Sequence, residues 1–412
     1  MALISRLHDH RPADASVGRR PPGYGGCVAL DLGDESALSL FAAAWNRLSG
    51  SAALPAPMNT EAVLSPLFRH RAPPGRRVQI GAIIAEHGEL AAIGAFERLG
   101  LAQGRALPVS ASWMADLPLA GTPLLARHDP DDALAWLIAG VTRLQGTHAV
   151  LFRLVGDDAG FGQILRQAAA RLGVAKPVVL EPFPRAALDI GGDFDGWFND
   201  NFARKRRKEF RRLAARLAEH GTVEIVTRTR DEPLSPWIDD FLALEGAGWK
   251  GRRGTALACS RDAARFLAEA LDRLNERGEL LFWRLSLDGK PLAMLFAILS
   301  GGTAFLGKIA YDESFARYSP GVLLILEATR TLLGRSDITC ADSCAIPGHP
   351  MIDNIWRDRL PLADLLIAAP GTPEPLFQAI AAAERVRRPL RATAKSLYHR
   401  LLKGYRHAID RA

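Results

Sequence analysis

Apolar and polar positions along the chain follow two periods, and the places where the period changes mark the elements. From Glu279 to Asp312 the period is two. Three strands follow from it, Glu279–Leu287, Lys290–Leu299 and Thr303–Asp312, separated by Asp288-Gly289 and Ser300-Gly301-Gly302. Asp-Gly and Gly-Gly between apolar runs are hairpin signals, because such turns need positive φ. In the third strand Phe305, Gly307, Ile309 and Tyr311 fall on one face, and Leu306, Lys308 and Asp312 on the other. The period then becomes helical, with Val322, Ile325, Leu326, Thr329 and Leu333 behind Ser319-Pro320-Gly321. Ser319 reads as N-cap and Pro320 as the first helical residue. A helix start at the end of a strand turns free N–H groups outward and favours an anion. A phosphate-bearing ligand along the Leu306–Ile309 backbone is one reading of this stretch, and a plain strand–loop–helix connection is the other.

The same rules applied to the rest of the chain give two halves of similar order. In the first, a strand (Cys27–Leu32), a helix (Glu35–Leu48), three strands (Arg77–Glu86, Glu89–Arg98, Arg105–Ser112), a helix (Asp131–Leu144), a strand (Ala149–Val155), a helix (Phe161–Leu172) and a strand (Pro177–Glu181) follow one another. In the second, helices at Asp195–Asn201 and Phe202–His220 lead to a strand (Thr222–Arg228), helices at Ser235–Glu245 and Arg261–Arg277, the three-strand meander, its helix, and strands at Asp337–Asp342 and Leu362–Ala368. The predicted division is a disordered leader at 1–24, an N-terminal domain at 25–190, a C-terminal domain at 191–370 and a basic helical tail at 371–412. Only the second half has a Ser-Pro-Gly helix start after its third meander strand, so any donor site is expected there.

Composition narrows the class. With 412 residues, 48% hydrophobic and 24% charged, the chain reads as a globular protein of about two domains. No long uncharged apolar window suggests a membrane span, and a cytoplasmic location is the default expectation. Four cysteines give no disulfide framework, and Cys340-x-x-x-Cys344 with His349 lacks four-ligand spacing, so no metal is expected. Net charge of +7 suggests acidic partners. The run Arg204–Arg216 carries an apolar stripe of Phe202, Phe210, Leu213 and Leu217, which favours a solvated basic face over a nucleic-acid site. The tail from Ala381 to His407 has a basic amphipathic pattern, which can lie on an anionic membrane or dock on the protein.

Five strings, FARKRRKEFRRLAARLAEHG, FLALEGAGWKGRRGTAL, LDGKPLA, KIAYDESFARYSPG and GHPMIDNIW, together resemble the CelD-like branch of the GNAT acyltransferases, often found near cellulose and exopolysaccharide biosynthesis genes. The resemblance covers 193–368 well and the first half loosely. It implies an α/β (α+β) fold of tandem GNAT-like domains, each a mostly antiparallel mixed sheet flanked by helices. It also implies acetyl-CoA or another acyl-CoA as co-substrate, with pantetheine along Leu306, Gly307, Lys308 and Ile309 and pyrophosphate at Ser319, Pro320, Gly321 and Val322. The acceptor would be a small molecule or saccharide amine or hydroxyl. The family's glycine-rich phosphate loop is replaced here by Arg317-Tyr318-Ser319-Pro320-Gly321. Fem-like proteins share such a fold while using aminoacyl-tRNA, and a non-catalytic binding protein is a further alternative.

Acyl transfer from a thioester needs a base for the acceptor, donors for an oxyanion and a proton for the leaving thiolate. Backbone N–H groups of Gly307–Ile309, with Lys308, are the oxyanion candidates, although Lys308 also suits a snorkelling structural role. Asp312 is a base or a strand-end carboxylate, and Tyr318 a thiol-protonating group or packing. Asp342 with His349 could form a base pair at the exit of the following strand, or His349 could serve the Gly-His-Pro turn. Trp249 and Lys250, on a loop after a helix, suit acceptor binding. No Ser–His–Asp or Cys–His spacing calls for a covalent intermediate, so direct transfer is expected.

Overall fold

The structure, a computed structural model, describes residues 24–30, 35–72, 78–85, 89–114, 117, 119–158 and 160–390. Nearly all of the predicted leader and the tail beyond 390 lie outside the described residues. The first half runs β1 (Tyr24–Leu30), α1 (Glu35–Gly50), α2 (Glu61–Arg71), β2 (Val78–Ala85), β3 (Leu90–Leu99), β4 (Val109–Ser112), β5 (Leu124–Leu125), α3 (Pro130–Gln145), β6 (Ala149–Gly156), α4 (Phe161–Leu172) and β7 (Val178–Asp189). The second runs α5 (Phe194–Asn201), α6 (Arg204–Ala218), β8 (Val223–Thr227), α7 (Ser235–Ala247), α8 (Arg261–Glu276), β9 (Leu280–Leu287), β10 (Lys290–Ser300), β11 (Thr303–Tyr311), α9 (Pro320–Leu333), β12 (Cys340–Asp342) and β13 (Asp358–Ala368). A helix over residues 374–390, α10, follows.

Local sequence accounts for most of these elements. In α8 the Ser260 hydroxyl accepts the Ala263 N–H at 3.3 Å, and Phe266, Leu267, Ala270, Leu271 and Leu274 are all buried on one side. In α6 only Phe210 and Leu217 are buried, and the cations face out. Helix α2 has no counterpart in the sequence reading, because Pro66 sits in its middle and masks the period.

One mixed sheet of thirteen strands runs through both halves in the order β1-β2-β3-β4-β6-β13-β7-β12-β11-β10-β9-β8, with β5 on β3. The order reads alike from either end. Each half contributes an antiparallel meander and one parallel pair, β4 with β6 and β11 with β12. The last strand of each half crosses over: β13 pairs with β6 of the first half, and β7 with β12 of the second. Strands β13 and β7 also pair with each other, from Asp358–Ala187 to Leu366–Val178. Helices α2 and α8 join the halves a second time, where Arg273 and Arg277 hold the buried Glu61 carboxylate and Glu269 holds Arg69 and His70.

Strand β11 departs from the expected alternation. Opposite β10, Leu295–Ile309 is followed by Ala297–Leu306, so β11 carries one extra residue at Gly307-Lys308. This bulge shifts the faces. Phe305 and Ala310 join the core beneath α7 and α8, while Ala304, Leu306, Ile309 and Tyr311 pack with α9. Gly307 is required because a Cβ there would lie 1.9 Å from the buried Phe296 ring. Gly307→Ala is expected to cost about 1–3 kcal/mol by overpacking, seen as a lower urea midpoint, and Phe296→Leu in the same chain should recover part of the loss.

Where the basic tail is described, it takes the second of its two alternatives. Within α10, Arg388 pairs with Glu181 and Asp364, Arg387 with Glu384, and Glu384 with the buried Arg105. This stretch docks on the protein with Arg385 left exposed, and the tail cations from Arg391 onward lie outside the described residues.

Candidate active site

A cleft opens where β11 and β12 part. The two strands pair at Thr303–Cys340, Ala304–Ala341 and Phe305–Asp342, and β12 then ends. Residues 306–311 keep β10 on one side, and no described strand covers the other. The first half has the same fork after Ala111–Leu151, but its own chain fills it. There Gly121 donates to the Arg153 carbonyl at 3.2 Å, Asn59 donates to the Thr122 carbonyl at 2.7 Å, and Leu119, Ala120 and Thr122 are buried. Among the described residues, no chain segment fills the second fork in this way.

Three side chains from α7, the turn after it and β11 meet at that edge. Glu245, in the last turn of α7, is 3% exposed. Its Oε2 accepts the Leu257 N–H at 2.8 Å, and its Oε1 faces Lys308 Nζ at 3.5 Å and Lys250 Nζ at 3.6 Å. At those separations charges couple strongly, yet Oε1 has no close hydrogen-bond partner. Lys250 Nζ also donates to the Ile309 carbonyl at 3.4 Å, on the open edge itself. Burial lowers the Lys250 pKa; Glu245 pulls it back up and Lys308 pushes it down.

The helical turn Trp249–Arg252 is tied over the cleft. The Glu313 carboxylate accepts the Trp249 N–H and pairs with Arg252, which holds Glu313 below the usual carboxylate range. Trp249 is 43% exposed, with Arg253 stacked on it at 5.0 Å. Trp249 and Lys250 thus flank the cleft on a helical turn rather than on a free loop.

The other candidates are placed less favourably for chemistry. Asp312 caps the following 3-10 turn, accepting the Ser314 N–H at 2.9 Å and its hydroxyl at 2.7 Å. Tyr318 is buried, its hydroxyl bonded to His220. Asp342 and His349 are not a pair. Asp342 is 1% exposed and bonded to the equally buried Arg185 at 3.1 Å, and its other oxygen accepts the Cys344 N–H at 2.8 Å. His349 Nδ1 accepts the Met351 and Ile352 N–H groups, both at 3.4 Å. Burial lowers the His349 pKa, with Asp353 opposing and Lys250 adding to the shift. Burial pushes the Cys340 thiol up to about 11 and also raises the Cys344 thiol well above its ordinary value, so neither is a thiolate near neutral pH.

At the helix start Ser319 has φ of 52° and makes no side-chain cap; its carbonyl instead accepts the Val322 and Leu323 N–H groups. A Cβ on Gly321 would lie 3.4 Å from Ile309 Cδ1 and from Met351 Sδ, so Leu306–Ile309 and the helix start are adjacent but closely covered. Glu245, Arg185 and His220 escaped the sequence reading. The one available signal was for Glu245, a lone carboxylate inside the apolar run FLALEGAGW.

Residues 204–346 match the family model for an acetyltransferase (GNAT) domain. The second half carries a GNAT-type domain. No curated protein sequence matches the chain. Among solved structures, FemX aligns at a TM-score of 0.52 and 11% identity, over 86% of this chain and 99% of its own. A conserved protein of unknown function from Bacteroides thetaiotaomicron aligns at 0.51 and 12%, over 80% and 97%. Both alignments span the two halves, and at such identity they speak to fold alone. Beside the matched stretch, the GNAT-type domain takes β7 from the first half, and with it Arg185. Among the described residues no cluster of His, Cys, Asp or Glu could hold a metal ion, and no helix is long and apolar enough to cross a membrane.

Breaking one partner of a buried ion pair costs about 3–5 kcal/mol, whereas replacing both with apolar groups costs much less. Urea unfolding of Arg185→Met and of Asp342→Leu is expected to show that loss in each, with the double variant nearer to the parent than either.

Proposed function

We propose that the chain is an acyltransferase that moves an acyl group from an acyl-CoA, acetyl-CoA being the first candidate, directly to an amine or hydroxyl acceptor in the second-half cleft. The observation that carries this reading is the open β11 edge beside two lysines that share one buried carboxylate. An amide-bearing donor arm can add to that edge as a strand would. The thioester carbonyl then lies near Lys308 Nζ and the Gly307–Ile309 backbone, and positive charge there stabilises the oxyanion. High thiol pKa values at Cys340 and Cys344 fit direct transfer rather than an acyl-cysteine. The two-domain division at 190/191, the acceptor contacts of Trp249 and Lys250, a saccharide acceptor of the kind the CelD-like resemblance implies, and a cytoplasmic location with residues 391–412 on an anionic membrane all belong to this proposal.

Aminoacyl-tRNA as donor is a second reading with its own support. Pro320 brings no N–H to the helix start and the Val322 N–H is engaged by the Ser319 carbonyl, which leaves less for a pyrophosphate. Helix α6, packed against the 3-10 turn before that start, exposes Arg204, Lys205, Arg206, Lys208, Arg211 and Arg216. Such a face suits a polyanion.

Calorimetric titration of acetyl-CoA and CoA, run beside salt-dependent binding of aminoacyl-tRNA, separates the two. Acetyl-CoA is expected to bind, and Lys308→Met to lower turnover by about 100-fold with binding retained. Binding of tRNA alone, weakened by Arg204→Ala with Lys208→Ala, would move the second reading to the front. If neither donor binds, acyl transfer is rejected.

A further inference from the structure

Acyl transfer to an amine or hydroxyl needs a group to take the acceptor's proton, and the carboxylates and histidine nearest the cleft are spoken for. Asp312 is a cap. Asp342 is locked to Arg185 without solvent access. His349 uses Nδ1 as an acceptor of backbone N–H groups, which leaves its proton on Nε2 and no lone pair facing out. Tyr318 and His220 satisfy one another.

What remains is the lysine pair. One buried carboxylate cannot neutralise two ammonium groups in a site largely shut from water, so the cluster holds one proton more than its charge balance favours. We propose that Lys250 is the general base of the reaction, its amine accepting the acceptor's proton while Lys308 faces the acyl carbonyl and Glu245 orients both. This rests on the acyl-transfer reading above.

The geometry fits that division. A neutral Lys250 amine still has N–H bonds to give the Ile309 carbonyl and Glu245, and it keeps one lone pair for the acceptor. The charged or titratable groups around it are Glu245 from α7, Lys308 from β11 and His349 from the loop after β12. Burial and Lys308 both favour the neutral form, against Glu245 alone. In the step itself the acceptor's proton passes to Lys250 Nζ as its nitrogen or oxygen bonds to the acyl carbon. The carbon–sulfur bond breaks, and the leaving thiolate takes the proton back from the Lys250 ammonium. No atom or electron is left over, and the base is reset.

The test does not depend on turnover. The chain has eight lysines, so competitive labelling of the full protein with trace acetic anhydride can be followed at each of them by peptide mass spectrometry. Labelling rate against pH gives each amine its own midpoint, whatever its accessibility. Lys250 is expected to titrate below the exposed Lys290, because burial and the neighbouring Lys308 disfavour its charged form. Lys308→Met should raise the Lys250 midpoint by removing a like charge, and Glu245→Gln should lower it. Where turnover is measurable, Lys250→Ala is expected to lose about 100-fold in kcat/KM and to be rescued by small amines in order of their basicity, which a packing role would not produce. A Lys250 midpoint equal to that of Lys290, or one unmoved by Lys308→Met, overturns the inference. A low midpoint in a protein that binds no acyl-CoA rejects that donor and retains the base; bound acyl-CoA with an ordinary midpoint does the reverse.

Discussion

A strand edge in the middle of a sheet cannot be left unpaired, and that constraint shapes this molecule. Backbone N–H and C=O groups away from water need partners, and a parallel pair that forks after two or three rungs leaves a row of them. The two halves meet the demand differently. In the first, the chain after β4 turns back into the gap, and Gly121 bonds across to Arg153. In the second, the chain leaves by a 3-10 turn instead, and the Lys250 amino group reaches the open edge. One topology thus gives one fork filled by its own chain and one left open.

Charge placement follows from the same fork. The bulge at Gly307-Lys308 turns Lys308 toward α7, where Glu245 is already committed to the Leu257 N–H. Lys250 arrives from the next turn, held in register by the Glu313 carboxylate on its neighbours. At the root of the cleft the Arg185–Asp342 pair supplies no chemistry of its own. Its part is to tie the end of β12 to β7 through a buried, charge-assisted bond.

Much of this was legible in the sequence, for local reasons. The hairpins at Asp288-Gly289 and Gly301-Gly302, the strands they join and helix α4 follow from turn chemistry and period, which act within a few residues. The bulge was not legible, since it depends on the Phe296 ring of the neighbouring strand. Nor was the fate of Asp342, decided by an arginine 157 positions away. Sequence spacing brought Asp342 and His349 together on paper, but side-chain direction took one to β7 and the other to its own backbone. The Ser-Pro-Gly helix start was correctly located, while its donors were over-counted, because Pro320 has no N–H and the Ser319 carbonyl engages that of Val322.

The exchange of β7 and β13 makes each half a borrower. A half cut free at the middle of the chain would keep its meander but lose the strand that covers its parallel pair, and it would carry its own last strand with nothing to lie against. Two such fragments are complementary to one another, and so are two copies of the same kind of fragment. In its topology this single chain is therefore a strand-swapped dimer whose two subunits have been joined end to end, and the half with the open fork is complete only because the other half lends it Arg185.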